Sequence, residues 1–260
     1  MSSTVLLVVI KLKIRYFYIR ERRLFMKKCL GAIRKASEEF GLIEKGDRIA
    51  VGVSGGKDSV ALMYAFSEYK NFSPVEFEFF GLCVDLGNEG FDISEVEKVA
   101  IEKDIEFHVL KTEISKIVFD IRDEKNPCSL CAKLRKGALI NEAKKLGANK
   151  IALGHHRDDL LETFMLSLMY EGRLNALAPK TYLDRKEVYQ IRPFIYLEEK
   201  HIKSFVKRYN LPIVKSFCSM DGETKRTEAK ELIRYMATKN KKAREIMTTA
   251  ITKTKNYNLW

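Results

Sequence analysis

The sequence predicts an α/β fold, a parallel sheet covered by helices on both faces, with basic helical segments flanking it. Three observations predict it. Short apolar runs alternate with amphipathic helical stretches across residues 26–222, the pattern of successive βαβ units. A glycine-rich turn, SGGKDS, joins the first such run directly to a helical one. Two further loops rich in acids and histidine also follow expected strands, the place where open α/β sheets bind ligands.

Taken in order, residues 1–25 form an N-terminal extension unlike the rest. The apolar run Val5–Ile10 is far shorter than the ~20 residues that span a bilayer. The segment also lacks the basic region and small-residue cleavage site of a signal peptide. Met26 is read as the start of the folded chain, the preceding residues being a disordered extension or a mis-assigned start. Met26–Phe40 has helical spacing, with Leu30, Ile33 and Phe40 on one face and Cys29 close to it as a core residue. Gly41 ends that helix, and Gly46-Asp47 turns into the first strand, Arg48–Val53. Further strands are expected at Phe77–Val84, Ile105–Leu110, Lys150–Leu153 and Leu211–Val214. Helices are expected near 58–69, 93–103, 129–147, 157–170 and 198–209. Cys83 falls inside a strand as packing. Residues 223–260 form a basic helical C-terminal segment that breaks near Lys239-Asn240.

With 260 residues and 46% hydrophobic content, the chain is expected to hold one large domain, or one domain with an appendage, with an ample core. Five cysteines are too few for a secreted disulfide framework, so a reducing cytoplasm and no membrane are expected. The net charge of +12 is concentrated at the ends. Residues 1–48 carry 12 Lys/Arg against 5 acids and residues 225–260 carry 10 against 3, which leaves the middle near neutral. Two basic ends on a neutral body suggest a polyanionic partner, RNA at this size.

In SGGKDS, Gly55 and Gly56 let the backbone turn tightly and aim N–H groups inward, an anion nest at the positive end of a helix. Ser54 and Ser59 add hydroxyl donors and Lys57 a point charge. The spacing is neither that of the ATPase P-loop nor that of the dinucleotide fingerprint. It resembles the SGGxDS signature of the PP-loop (N-type) ATP pyrophosphatases, whose fold is the HUP-type, adenine nucleotide alpha hydrolase-like sheet. Those enzymes adenylate a substrate and release pyrophosphate.

PCSLC places Cys128 and Cys131 at C-x-x-C spacing where a helix begins, an end that favours thiolates. A redox dithiol, a zinc pair and an iron–sulfur pair all fit that spacing. Cys218 is the one other plausible loop cysteine, and three cysteine ligands would leave a metal position open for chemistry.

PCSLCAKLRKG, KIALGHHRDDLLETFMLSLMYEGRLNALAPK and IRPFIYL together resemble the tRNA 2-thiocytidine synthetase (TtcA) family of PP-loop tRNA thiolases, over about Met26 to Leu232. The resemblance implies Mg²⁺-ATP, tRNA as substrate, and a [4Fe–4S] cluster on Cys128, Cys131 and Cys218. Around Cys218 the chain departs from the family's C-x-x-C-G, reading Ser-Phe-Cys-Ser instead. The zinc-finger pairs of the 2-thiouridine branch are absent, which favours a cytidine, that at position 32, as the target.

Carried over position by position, Val53, Ser54, Gly55, Gly56, Lys57, Asp58 and Ser59 hold the phosphates, while Asp85, Gly154 and His155 hold the nucleotide. His156 is expected to be structural. Asp58 or Asp159 would bridge Mg²⁺, and Arg135 with Lys57 would offset charge on the α-phosphate, making Asp58, Arg135 and Asp159 the catalytic candidates. Arg157, Arg173, Lys180, Arg226 and the basic tail are expected on RNA phosphates. The sulfur donor would be sulfide or a cysteine-desulfurase product, and the family implies a homodimer. Two alternatives stand beside this reading: an iron-independent thiolase using a Cys128/Cys131 persulfide and disulfide, and a non-catalytic RNA-binding or iron–sulfur protein.

Overall fold

The structure, a computed structural model, describes residues 25–121, 127–214 and 225–253. A helix, α1, occupies 25–40. There follow β1 (Arg48–Gly52), α2 (Lys57–Lys70), β2 (Glu78–Asp85), α3 (Ser94–Glu102) and β3 (Phe107–Lys111). A short α4 (Ile114–Lys116) leads to α5 (Pro127–Lys145), β4 (Lys150–Ala152) and α6 (Arg157–Leu166), which ends in a π turn. The chain continues with β5 (Lys180–Leu183), β6 (Val188–Ile191), α7 (Glu199–Tyr209), α8 (Lys225–Lys239) and α9 (Ala243–Thr252).

The sheet has the order β3-β2-β1-β4-β6-β5, parallel except for β5, which runs antiparallel to β6 at the edge. Alternate residues of β1 serve opposite layers, as the pleat requires. Ile49 and Val51 join a core with Cys29 and Ile33 of α1 and Val60, Leu62 and Phe66 of α2. Ala50 packs with Phe80, Leu82 and Ile151 against Ile140 and Ala143 of α5. The chain adds strands to one side of β1 through β3 and then crosses to the other side at β4. The loops after β1 and β4 therefore flank the topological switch point, where a crevice opens.

Two strand assignments differ from the sequence reading. Leu211–Val214 is not a strand; it runs as irregular chain, and the Val214 N–H donates to the Gly55 carbonyl at 3.0 Å. The fifth and sixth strands are instead the short hairpin β5–β6, turned at Glu187 in the left-handed region (φ 50°).

At the amino edge, Lys150 at the start of β4 is 2% exposed in its side chain and pairs with Asp47 at 2.7 Å and Glu44 at 2.5 Å. It also donates to the Leu42 carbonyl at 3.2 Å. This clamp fastens β4 beside β1 and so sets their carboxyl ends level. Breaking a buried pair strands the partner charge. Lys150→Met should lower unfolding free energy by about 3–5 kcal/mol in urea titration.

Candidate active site

Beyond β1, Val53 extends the pairing by donating to the Leu82 carbonyl at 2.8 Å, and the chain then turns at Gly55 with φ +80°. A Cβ at Gly55 would also lie 2.8 Å from Val214 Cβ, so conformation and space both require glycine there. Ser59 holds the loop closed: its Oγ donates to the Gly56 carbonyl at 2.9 Å, accepts from the Ser54 N–H at 3.1 Å and lies 3.2 Å from Ser54 Oγ. Gly56 is the N-cap of α2, and no side-chain hydrogen bond caps this helix. The first-turn N–H groups are thus left for an anion.

Lys57 Nζ sits between two carboxylates, Asp58 Oδ2 at 2.8 Å and Glu199 Oε1 at 3.1 Å. Burial opposes its charge, yet bonding to Asp58 and Glu199 prevails and holds Lys57 above the ordinary lysine range. Burial likewise opposes the Glu199 charge, but Lys203 and Lys57 hold that carboxyl down at about 2. Glu199 opens α7, and its backbone N–H donates to Asp158 Oδ2 at 2.8 Å, which ties α7 to α6. The other Asp158 oxygen pairs with Arg244 of α9.

The loop after β4 approaches the same point. A Cβ at Gly154 would lie 2.8 Å from the Asp58 carbonyl, so glycine is what lets this loop touch α2. His156 caps α6 in a reciprocal box: Asp159 N–H donates to His156 Nδ1 at 3.4 Å, and His156 N–H donates to Asp159 Oδ2 at 3.0 Å. Nδ1 accepts in that box, and Nε2 on the other side of the ring faces Asp58 Oδ1 at 3.6 Å. Asp58 Oδ1 is buried and has no hydrogen-bond partner among the described residues. An orphaned hard oxygen beside an uncapped helix end fits a divalent cation that bridges to phosphate. Asp85, at the end of β2, accepts from the Gly87 N–H at 2.9 Å and stands half-buried at the same sheet edge.

His155 is turned inward. Burial, and then the Arg192 charge, push its imidazole down to about 4, and its Nδ1 is a buried orphan. Arg192 follows β6, donates to the Ala178 carbonyl and is itself pushed down to about 10 by burial. Burial pushes Glu162, on the second turn of α6, up to about 7. Arg226 of α8 lies 3.8 Å from Asp159 and 3.6 Å from Glu162, so the C-terminal helices form a wall of this site.

Cys128 is exposed and Cys131 half-buried on the first turns of α5, at the sheet's carboxyl edge. Cys131 packs beside Leu130 and Leu134 on the cluster of Val84, Ile114 and Val118, near Asp85. Arg135, exposed, follows Cys131 by one turn, so all three lie along one stripe of the helix. Cys218 lies outside the described residues. Among the described residues no group of three or more His, Cys, Asp or Glu is arranged around a metal position. The two cysteines present suit an iron–sulfur ligand pair in spacing and in accessibility.

The expected RNA contacts divide. Arg173 is exposed, and Arg226 is half-exposed at the wall just described. Arg157 is instead buried and paired with Glu198 at 3.1 Å, holding α6 to the start of α7. Lys180 turns inward to the Gly41 carbonyl at 2.6 Å and Glu44 at 3.3 Å. An internal partner was the stronger demand on both. Glu199, Glu162 and Arg192 were missed from sequence. Glu199 carries a weak signal, an acid at a helix start, but nothing local ties it to Lys57.

The profile of the PP-loop domain family matches residues 27–252. A tRNA-cytidine(32) 2-sulfurtransferase of Geobacter sulfurreducens is 36% identical over 231 residues, covering 86% of this chain and 89% of that protein. One of Legionella pneumophila is 36% identical over 227 residues, covering 86% and 80%. The U34-tRNA thiolase NcsA from Methanococcus maripaludis, solved with its [4Fe–4S] cluster, shares the fold at TM-score 0.73 and 22% identity, over 90% of this chain and 79% of that one. This chain belongs to the PP-loop family and, within it, to the family of the tRNA-cytidine(32) 2-sulfurtransferases.

Two of the shifted groups, His155 and Glu162, oppose each other in pH. His155, held neutral, makes stability fall as pH drops from about 6.5 to about 4, because the unfolded chain takes the proton first. Glu162 makes stability fall as pH rises from about 4.5 to about 7, because the folded chain then holds the proton more tightly. Glu162→Gln should therefore exceed wild type by about 2–3 kcal/mol at pH 8 and match it near pH 4.5 in urea unfolding. His155→Gln should show its advantage near pH 4.5 instead.

Proposed function

We propose that this chain is an ATP-dependent tRNA sulfurtransferase whose target is a cytidine, that at position 32. The observation carrying this reading is one sheet edge bearing both the uncapped PP-loop helix and the first turns of α5 with Cys128 and Cys131. The likeness to relatives named for this reaction supports the choice of base.

ATP lodges its β,γ-phosphates against the Gly55–Lys57 backbone and the Ser54 and Ser59 hydroxyls, with Lys57 as the fixed charge. Asp58 or Asp159 would hold Mg²⁺, which would supply Lewis-acid assistance to the phosphates. His155 and Asp85 border the nucleoside. The carbonyl oxygen at C2 of cytidine attacks the α-phosphorus, the α–β bond breaks, and pyrophosphate leaves. Sulfide sulfur then adds to C2, the C2–O bond breaks, and AMP departs with that oxygen. No electrons are gained or lost overall.

A [4Fe–4S] cluster on Cys128, Cys131 and Cys218 would supply an open iron position that carries the incoming sulfur. What supports Cys218 as the third ligand is that the chain leading to it is fastened to the PP-loop at Val214. Arg135, on the cysteine stripe, offsets charge at the α-phosphate. Sulfide or a desulfurase product supplies the sulfur, in a reducing cytoplasm, and the enzyme acts as a homodimer. No described helix is long and apolar enough to cross a membrane.

Anaerobically reconstituted protein given ATP, Mg²⁺, sulfide and unmodified tRNA should yield 2-thiocytidine, read by mass spectrometry of the digest. Cys218→Ala should yield none. Asp58→Asn should lower pyrophosphate release at least about a hundredfold. Another thionucleoside would overturn the base assignment, and thiolation without iron would overturn the cluster.

A further inference from the structure

Where α6 runs out, the helix widens into a π turn, Ser167–Glu171, closed by Gly172 at φ 62°. Such a turn carries one extra residue and re-aims the side chains that follow. Residues 168–175 are exposed throughout. Four of them are nonetheless large and apolar: Leu168 is 46% exposed, Met169 43%, Tyr170 44% and Leu174 59%. A contiguous run of this kind on an ordinary surface loop marks a contact face.

Its surroundings say what the contact is. Lys225 Nζ lies 4.5 Å from the centre of the Tyr170 ring, and Arg173 is exposed in the same run. The Tyr170 hydroxyl donates to Glu228, which anchors the ring to α8. Arg226, next to Lys225, reaches Asp159 at 3.8 Å, so this lip adjoins the candidate active site. An aromatic face set among cations is how proteins hold unpaired bases and their phosphates, and the aliphatic side chains beside Tyr170 add apolar surface to that face. A protein partner burying the same run would have to desolvate those cations.

We propose that the Leu168–Leu174 lip, with Lys225, is the platform on which unpaired bases beside the target nucleotide stack. This rests on the tRNA reading above and adds Met169, Tyr170, Leu174 and Lys225 to the RNA-contacting residues. Lys225 and Arg173 take the flanking phosphates, and the π face of Tyr170 that Lys225 covers in the free protein passes to a base.

The test uses the full chain and an anticodon stem-loop RNA carrying 2-aminopurine beside the target cytidine. Wild type and Tyr170→Phe should quench the fluorescence on binding. Tyr170→Ala should bind about tenfold more weakly, fail to quench, and keep the wild-type salt dependence. Lys225→Ala should keep the quench and lower the slope of log affinity against log salt by about 0.7. Tyr170→Ala that binds and quenches like wild type overturns the platform alone. So does a Tyr170→Ala that turns a dimer into a monomer in sedimentation, since the lip would then be a self-interface. Wild type that binds no RNA overturns the tRNA reading itself.

Discussion

The first turn of α2 presents backbone N–H groups that no side chain caps, in a crevice that secondary structure cannot fill. Much of the architecture answers to that turn. Gly55 gives it a left-handed entry, Ser59 closes it from within, and Gly154 lets the β4 loop approach to contact distance. His156 caps α6 from its own side chain, so α6 needs no external anion and brings Asp158 and Asp159 to the site already oriented. The contrast between a self-capped helix and an uncapped one separates the element that positions from the element that binds.

The same logic shows why the basic C-terminal segment is more than a coating. Arg226 and Arg244, from α8 and α9, reach Asp159, Glu162 and Asp158 and close the wall of the site. Leu161 and Met165 of α6 pack there on Ala229 and Ile233 of α8. Part of the charge excess is therefore taken up inside the protein. Lys225 of this segment stays outward, beside an apolar lip that also carries Arg173.

The central strands were legible because each is a short apolar run bounded by turn residues, and the site loops because glycine and polar residues cluster where those runs stop. Leu211–Val214 has the composition of a strand, yet it joins no strand of the sheet, and the Val214 N–H bonds to the PP-loop instead. The β5–β6 hairpin was missed for the opposite reason. Its strands are four residues each, and its left-handed turn residue is Glu187, which announces no turn. The SGGKDS turn and the C-x-x-C pair could be located from spacing, whereas the roles expected of Lys57, Asp58 and the cysteines came from the family resemblance. The bond between Lys57 and Glu199 could not, since it joins residues 57 and 199 through the packing of α2 on α7. The inward turn of Arg157 and Lys180 was hidden for the same reason, because charge in a sequence does not say which acids the fold will bring to it.

The central claim is that ATP is opened at its α-phosphorus by the base itself, at a site where sulfur then replaces oxygen. The most direct test is a tRNA carrying ¹⁸O at C2 of the target cytidine, turned over once with ATP, Mg²⁺ and sulfide by the reconstituted protein. The account predicts that the heavy oxygen appears in the phosphoryl group of AMP, in step with 2-thiocytidine. Thiolated tRNA formed with unlabelled AMP would contradict it.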